Sequence, residues 1–186
     1  CAFSFDTSGT DFIYKAGQYI DMTLVDPPET DAEGNIRSFS IASAPHEKGS
    51  IMIAIRMRPS AFKRVLGATP LGVKVKIEGP MGSFTLHHNA SRPAVFVIGG
   101  IGITPVRSMI ASATEEKLPH QLFLFYANKS PEETAFLAEL EAWRQKNPNF
   151  TLVPTATDAH DALWQYETRR IDAAMITKYL PNIQGP

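Results

Sequence analysis

Residues 94–105 read Ala-Val-Phe-Val-Ile-Gly-Gly-Ile-Gly-Ile-Thr-Pro. The run from Ala94 to Ile98 is apolar, rich in β-branched and aromatic side chains, and short enough for a buried strand. Gly99, Gly100 and Gly102 follow where the chain must turn, and backbone without side chains there can approach a ligand closely. Thr104 is predicted as the N-cap of a helix and Pro105 as its first residue. Strand, glycine turn and helix start together make an anion site, because free N–H groups and the positive end of the helix dipole face the turn. A dinucleotide pyrophosphate is the candidate ligand. The competing reading is an ordinary strand-to-helix turn that binds nothing, and Pro105 stands where the common dinucleotide fingerprint has a third glycine.

Downstream of this stretch, strands and helices alternate. Helix 105–115 leads to a strand at 121–126 (Gln-Leu-Phe-Leu-Phe-Tyr). A helix over 131–145 follows, capped by Ser130 with Pro131 in its first turn, and its apolar stripe is Phe136, Leu137, Leu140 and Trp143. A strand at 150–154 and a helix at 171–180, stopped by Pro181, complete the series. Alternation of this kind predicts a doubly wound parallel α/β sheet.

Upstream, the rhythm is that of short strands divided by turns. Strands are predicted at 1–5, 18–25, 36–42, 50–57, 73–77 and 83–86, with Ile51, Ile53 and Ile55 on one face. Ser60 caps a short helix from Ala61 to Leu66, which Gly67 is expected to end. Gly79-Pro80-Met81-Gly82 reads as a turn. The set predicts a small antiparallel barrel or sandwich, read here as a β-barrel. The polar segment 87–93, ending in proline, is the expected linker, so the domains are placed at 1–90 and 91–186.

Totals narrow the function. The chain has 186 residues, 44% of them hydrophobic and 20% charged, with a net charge of −1. That composition predicts a soluble globular protein with no nucleic-acid surface and no membrane span. Cys1 is the only cysteine, so neither an intrachain disulfide nor an iron–sulfur cluster on this chain's own thiolates is possible. No metal-ligand cluster or catalytic triad is visible; His87-His88 reads as a solvated pair. No signal peptide is visible, and a cytoplasmic location is expected.

Three further segments carry chemistry. Arg37-Ser38-Phe39-Ser40 lies in a predicted strand, where an arginine needs an anionic or polar partner and its fork suits a pyrophosphate. Strict alternation puts Arg37 and Phe39 on one face and Ser38 and Ser40 on the other, so one ligand meets both only where the strand twists or ends. A surface arginine above a core phenylalanine is the plainer reading. Gly79-Pro80-Met81-Gly82-Ser83-Phe84 offers backbone N–H groups, and the helix opened by Ser60, with Lys63 and Arg64, offers a third anion contact.

In order and spacing, Arg-Ser-Phe-Ser, Gly-Pro-Met-Gly-Ser-Phe and Gly-Gly-Ile-Gly-Ile-Thr-Pro resemble the ferredoxin–NADP reductase superfamily, over nearly the whole chain. Gly17-Gln18-Tyr19 and Trp164…Arg170-Ile171 are similar to its bacterial members. The resemblance implies an FAD-binding barrel followed by an NAD(P)H-binding α/β domain. Carried over by position, Arg37 would bind the flavin phosphate, with Ser38 beside it in the motif, and Phe39 would pack on the isoalloxazine or ribityl region. Ser40 would donate to the ring nitrogen that accepts hydride. Phe62 and Lys63, with Gly82 and Ser83, would complete the pyrophosphate cradle. Gly99, Gly100 and Gly102 would pass under the NAD(P)H pyrophosphate, with Thr104 and Pro105 at the helix head. Ser40 and Thr104 are thus the candidate catalytic residues.

The family's final strand, beside the nicotinamide, would fall after Pro186, and the first strand is short at Cys1, so a chain truncated at both ends is expected. The family's glycine before Arg170-Ile171 is Arg169 here. Asn128 suits a ribose hydroxyl, whereas Lys129 and Ser130 suit a 2′-phosphate, which leans the reading towards NADPH. The implied function is electron transfer from NAD(P)H through FAD to a separate acceptor: a ferredoxin, flavodoxin, haem or oxygenase component, or a small acceptor. A flavin- or nucleotide-binding module without hydride transfer is the alternative.

Overall fold

The computed structural model describes residues 1–159 and 163–180 and divides into two compact units. The first comprises Cys1–Leu86 together with Thr104–Ser112, and the second His87–Ile103 with Ala113 onward. The expected order, an antiparallel β domain followed by a parallel α/β domain, is the order found.

In the first unit, β1 (Ala2–Asp6) pairs antiparallel with β4 (Ser50–Ala54), and β2 (Tyr19–Leu24) pairs with β3 (Ile36–Ser40) on one side and β5 (Val75–Met81) on the other. The period-2 pattern dictates which side chains are buried. Ile20, Met22 and Leu24 of β2 and Ile51 and Ile53 of β4 point into one core, joined by Phe62 and Leu66 of helix α1 (Ala61–Ala68). Burial of these side chains, each contributing about 1.5–3 kcal/mol, holds the unit together.

Several local expectations change. Gly67 lies within α1, which ends only at Thr69, whose N–H bonds to Leu66 O. A Cβ at Gly67 would sit 3.1 Å from Met57 Cε, so its glycine serves close packing. Gly79 and Pro80 lie inside β5, where the register against β2 slips between Tyr19 and Asp21. One extra residue is absorbed there as a bulge, so the expected turn is a kinked strand. Residues 83–86 form no strand.

In the second unit, β6 (Ala94–Gly99), β7 (Leu122–Asn128) and β8 (Phe150–Ala156) form a parallel sheet in the order β6-β7-β8. β7 is central and nearly continuously apolar. β6 lies at the edge of the described sheet, with Ala94 and Phe96 buried but Val95 and Val97 exposed, so it is half-buried where a fully buried strand was expected. Helix α2 (Ile103–Glu115) is entered through a 3-10 turn, Gly100–Gly102. The Ile103 N–H bonds to Gly100 O and Ile101 O, so the helix begins before Thr104, which is its second residue and not its cap.

The helix predicted over 131–145 is broken. A 3-10 turn at Pro131–Glu133 is separated from α3 (Leu137–Lys146) by Phe136, whose backbone is left-handed at φ 63°. Ser130 does not cap a helix; its hydroxyl bonds the Glu132 carboxylate and lowers that group's pKa. Helix α4 (Ala173–Tyr179) is capped by Asp172, whose Oδ1 accepts the Met175 N–H at 2.7 Å. Met175 and Leu180 pack with Phe125 and Val153 in this unit's core. The stop expected at Pro181 lies outside the described residues.

Candidate functional site

In the first unit, the expected residues fall into two groups along β3. At its end, Ser40 pairs across the sheet with Tyr19, and Tyr19 pairs in turn with Met81. Gly82 and Ser83 follow directly, both exposed, so Ser40 and the Gly-Ser turn flank one tyrosine. Gly82 has φ +94°, and a Cβ there would stand 2.9 Å from the Tyr19 ring. Its neighbours fasten it further: Gln18 Nε2 donates to Gly82 O at 3.1 Å. At Gly17, with φ +99°, a Cβ would lie 2.1 Å from Phe84 O, so only glycine lets these two segments meet. The exposed aromatic rings Tyr19 and Phe84 stand beside this end of the sheet.

The second group lies three residues back along β3, roughly 10 Å at strand rise. Arg37 stacks over the Phe62 ring at 5.2 Å, and Phe62 is 5.8 Å from Phe39, centroid to centroid. Phe62 is buried in the core, so its ring is closed to a ligand. Ser38 points to the opposite face, where its hydroxyl bonds the Asp21 carboxylate. Lys63 turns away: its N–H caps onto Ser60 Oγ at 3.2 Å and its Nζ donates to Arg56 O at 2.9 Å.

The sequence reading missed what meets the Arg37 fork. Nη1 donates to the carbonyls of Glu33, Gly34 and Ile36 at 2.9, 3.0 and 2.7 Å. Nη2 binds Asp31 Oδ1 at 2.8 Å and Glu33 Oε2 at 3.0 Å. Asp31 Oδ2 also accepts the Ala61 N–H, in the first turn of α1, at 3.1 Å. The one local signal was the Glu33–Arg37 spacing; Asp31 is brought in by the turn at Gly34, whose φ is +74°.

A buried polar network was also missed. Arg107 of α2, grouped with the first unit, donates Nη1 to Ala42 O at 2.8 Å and pairs with Glu47 Oε2 at 3.2 Å. Ser108 Oγ donates to Ser43 O at 2.6 Å, and Ser43 Oγ lies 3.0 Å from Tyr14 OH. Burial pushes the Tyr14 hydroxyl up to about 12, a rise tempered by the Ser43 hydrogen bond. Thr104, buried in the first turn of α2, is likewise grouped with the first unit.

In the second unit, Gly99, Gly100 and Gly102 lie at the carboxyl end of β6. Gly100 has φ +52°, and its carbonyl accepts the buried Tyr126 hydroxyl at 3.1 Å, which pins the turn to the neighbouring strand. Cβ atoms built at Gly99 and Gly102 would meet only ordinary contacts, at 3.8 and 3.5 Å, so internal packing does not demand glycine at either. Pro105, in the first turn of α2 and so grouped with the first unit, is half-buried. Asn128 ends β7 beside this turn, is 8% exposed, and neither of its side-chain amide atoms has a hydrogen-bond partner among the described residues. Lys129 is exposed and pairs with Asp158 at 3.6 Å. The carboxyl ends of parallel strands are where such sheets bind ligands.

Among the described residues no cluster of three or more metal-ligating side chains occurs, and no helix is long and apolar enough to cross a membrane.

Two family models divide the chain. An oxidoreductase FAD-binding domain matches residues 1–86, and an oxidoreductase NAD-binding domain matches residues 96–185. Among curated proteins, reductase component 2 of terephthalate 1,2-dioxygenase from Comamonas sp. is 28% identical over 89% of this chain and 48% of its own length. Methane monooxygenase component C from Methylosinus trichosporium is 35% identical over 71% of this chain and 37% of its own. The chain thus spans about half the length, or less, of the curated relatives it matches. The solved structure of an Amycolatopsis cytochrome P450 reductase superposes with a TM-score of 0.77 at 18% identity, covering 97% of this chain and 53% of that one, which is a likeness of fold.

Proposed function

The chain belongs to the ferredoxin–NADP reductase superfamily, and on that premise we propose that it is an FAD-dependent NAD(P)H oxidoreductase passing electrons to a separate acceptor. The observation that carries the reading is the two-part arrangement along β3. A hydroxyl, a backbone turn and an exposed aromatic surface stand at one end (Ser40, Gly82-Ser83, Tyr19), and an arginine fork beside a helix N-terminus stands about 10 Å away. That spacing suits a ligand with a flat ring at one end of a short chain and a phosphate at the other.

Bound FAD would supply the chemistry, taking a hydride from NAD(P)H and releasing electrons singly. The chain's own groups bind and orient. Ser40 would donate its hydroxyl to a ring nitrogen, and Gly82 and Ser83 beside it would offer backbone N–H groups to that same end of the ligand, not to the phosphate at Arg37. Arg37 would give a bidentate anion contact, and the first turn of α1 at Ala61–Lys63 would add N–H groups and its dipole. For the nicotinamide nucleotide, Gly99, Gly100 and Gly102 leave backbone open to a pyrophosphate, and the unpartnered Asn128 amide can donate to and accept from ribose hydroxyls.

Oxygenase reductase components among the relatives favour an oxygenase or a ferredoxin as acceptor. A cytoplasmic location goes with the reading, because the NAD(P)H pool that would drive it is cytoplasmic. The purified protein is expected to be yellow and to bleach when NADH or NADPH is added without oxygen. Colourless protein that takes up no added FAD would overturn the proposal.

A further inference from the structure

Segment 25–35, which joins β2 to β3, carries Asp26, Glu29, Asp31 and Glu33. Three of these acids engage the groups of the first unit best suited to an external anion. The Asp31 carboxylate bridges the Arg37 fork at 2.8 Å and the Ala61 N–H at 3.1 Å, so one oxyanion already spans the arginine and the start of α1. Glu33 adds a second carboxylate to Arg37 at 3.0 Å. Glu29 grips Arg64 with two oxygens, at 2.9 and 2.7 Å.

A carboxylate and a phosphate ask the same thing of a guanidinium and a helix N-terminus: paired, charge-assisted N–H donors. They compete for them. The segment that presents the acids is mostly exposed, and although the Arg37 and Asp31 side chains are themselves half-buried, at 19% and 31% exposure, a ligand that carries more charge than one carboxylate can compete for the same donors. We propose that Asp31 is an internal stand-in for the flavin phosphate, held on Arg37 and the Ala61 N–H in the flavin-free protein and expelled when the cofactor binds. The inference rests on the flavin reading above, and it makes the β2–β3 segment a determinant of flavin affinity. Observed affinity falls below the intrinsic value by the fraction of molecules in which Asp31 holds the position.

The test is calorimetric titration of flavin-stripped protein with FAD and, separately, with inorganic pyrophosphate. Wild type, Asp31→Asn and Asp31→Ala are compared, after thermal melts establish that each folds. Removing the competing charge is expected to tighten both ligands at least about fivefold, the upper range for exposed ion pairs, because this pair is half-buried. Unchanged or weaker binding in the variants would mean that Asp31 braces Arg37 for the ligand, and the inference falls. If no protein binds FAD, the flavin reading fails by itself, while the pyrophosphate arm still decides whether Asp31 competes for the anion position. A measurement on wild type needs no variant: FAD should speed proteolytic cleavage within 25–35, because the segment is released. Protection of that segment by FAD would overturn the proposal.

Discussion

The two anion-seeking regions of this molecule differ in what their own chain does to them. In the first unit the donors are side chains and a helix start, and acids of the neighbouring segment already hold them: Asp31 and Glu33 on Arg37, Asp31 on the Ala61 N–H, Glu29 on Arg64. In the second unit the glycine turn at the end of β6 is pinned by Tyr126 but leaves room at Gly99 and Gly102, where a Cβ would meet only ordinary contacts, and the buried Asn128 amide beside it has no hydrogen-bond partner among the described residues. One region is charged and self-occupied, the other neutral and open. On the reading proposed above, binding at the first would exchange one anion for another, whereas binding at the second would add hydrogen bonds to the Asn128 amide.

Replacement of Arg37 by Ala should break the first region most severely. Loss of a charge-assisted fork costs about 1.5–3 kcal/mol, so FAD affinity should drop about ten- to a hundredfold by titration. Retention of flavin at wild-type affinity would remove Arg37 from the site.

Glycine replacements sharpen the contrast in a second way. Gly17→Ala meets both a positive φ and the Phe84 carbonyl, and should lower stability by about 3 kcal/mol in denaturant melts. Gly102→Ala meets only an ordinary contact with Ile98, so the melt should scarcely move while the Michaelis constant for NAD(P)H rises several-fold, about 1 kcal/mol of lost close approach. A Gly102→Ala protein with unchanged kinetics would argue against a pyrophosphate at the turn.

Nucleotide choice tests the one charge pair of the open region. Lys129 is partnered by Asp158, which offsets the lysine that leaned the sequence reading towards NADPH. Asp158→Asn should raise kcat/KM for NADPH relative to NADH about two- to fivefold, the range for an exposed pair. An unaltered ratio would place the 2′ position elsewhere.

The smallest effect concerns pH. Tyr14 has its hydroxyl pushed from 10.0 up to about 12 by burial. A group whose folded pKa is raised gives stability that is full below its unfolded value, so this contribution should be present below pH 10 and fade as pH rises towards about 12. Tyr14→Phe should remove that alkaline loss, at a cost of about 1 kcal/mol near neutrality for the hydrogen bond with Ser43. Identical alkaline melts for the two proteins would show that Tyr14 is not the titrating group.

Much of the fold was legible because its signals are local. Ile20, Met22 and Leu24 all enter the core while Tyr19, Asp21 and Thr23 between them do not, as period-2 spacing requires, and the apolar run before Gly99 forms the strand expected. Errors came where one residue type has two uses. Gly67 and Gly79 read as helix stop and turn, yet one serves packing against Met57 and the other a bulge opposite Tyr19. Thr104 read as a cap, but a 3-10 turn already satisfied the first N–H of the helix.

Of the candidate flavin-site residues, Ser40, Gly82 and Ser83 are brought to one end of a sheet, and Arg37, Phe39 and Phe62 stack together, whereas Lys63 and Ser38 turn to other partners. By itself the sequence determined the order of the two units and the placing of glycines, hydroxyls and cations on strands and turns, because periodicity and turn chemistry act over a few residues. Only the tertiary structure decided which acid meets which cation. Asp31 reaches Ala61 across thirty residues and Glu29 reaches Arg64 across thirty-five, and pairings at that separation follow from how the core brings α1 against the β2–β3 segment, not from any pattern within either.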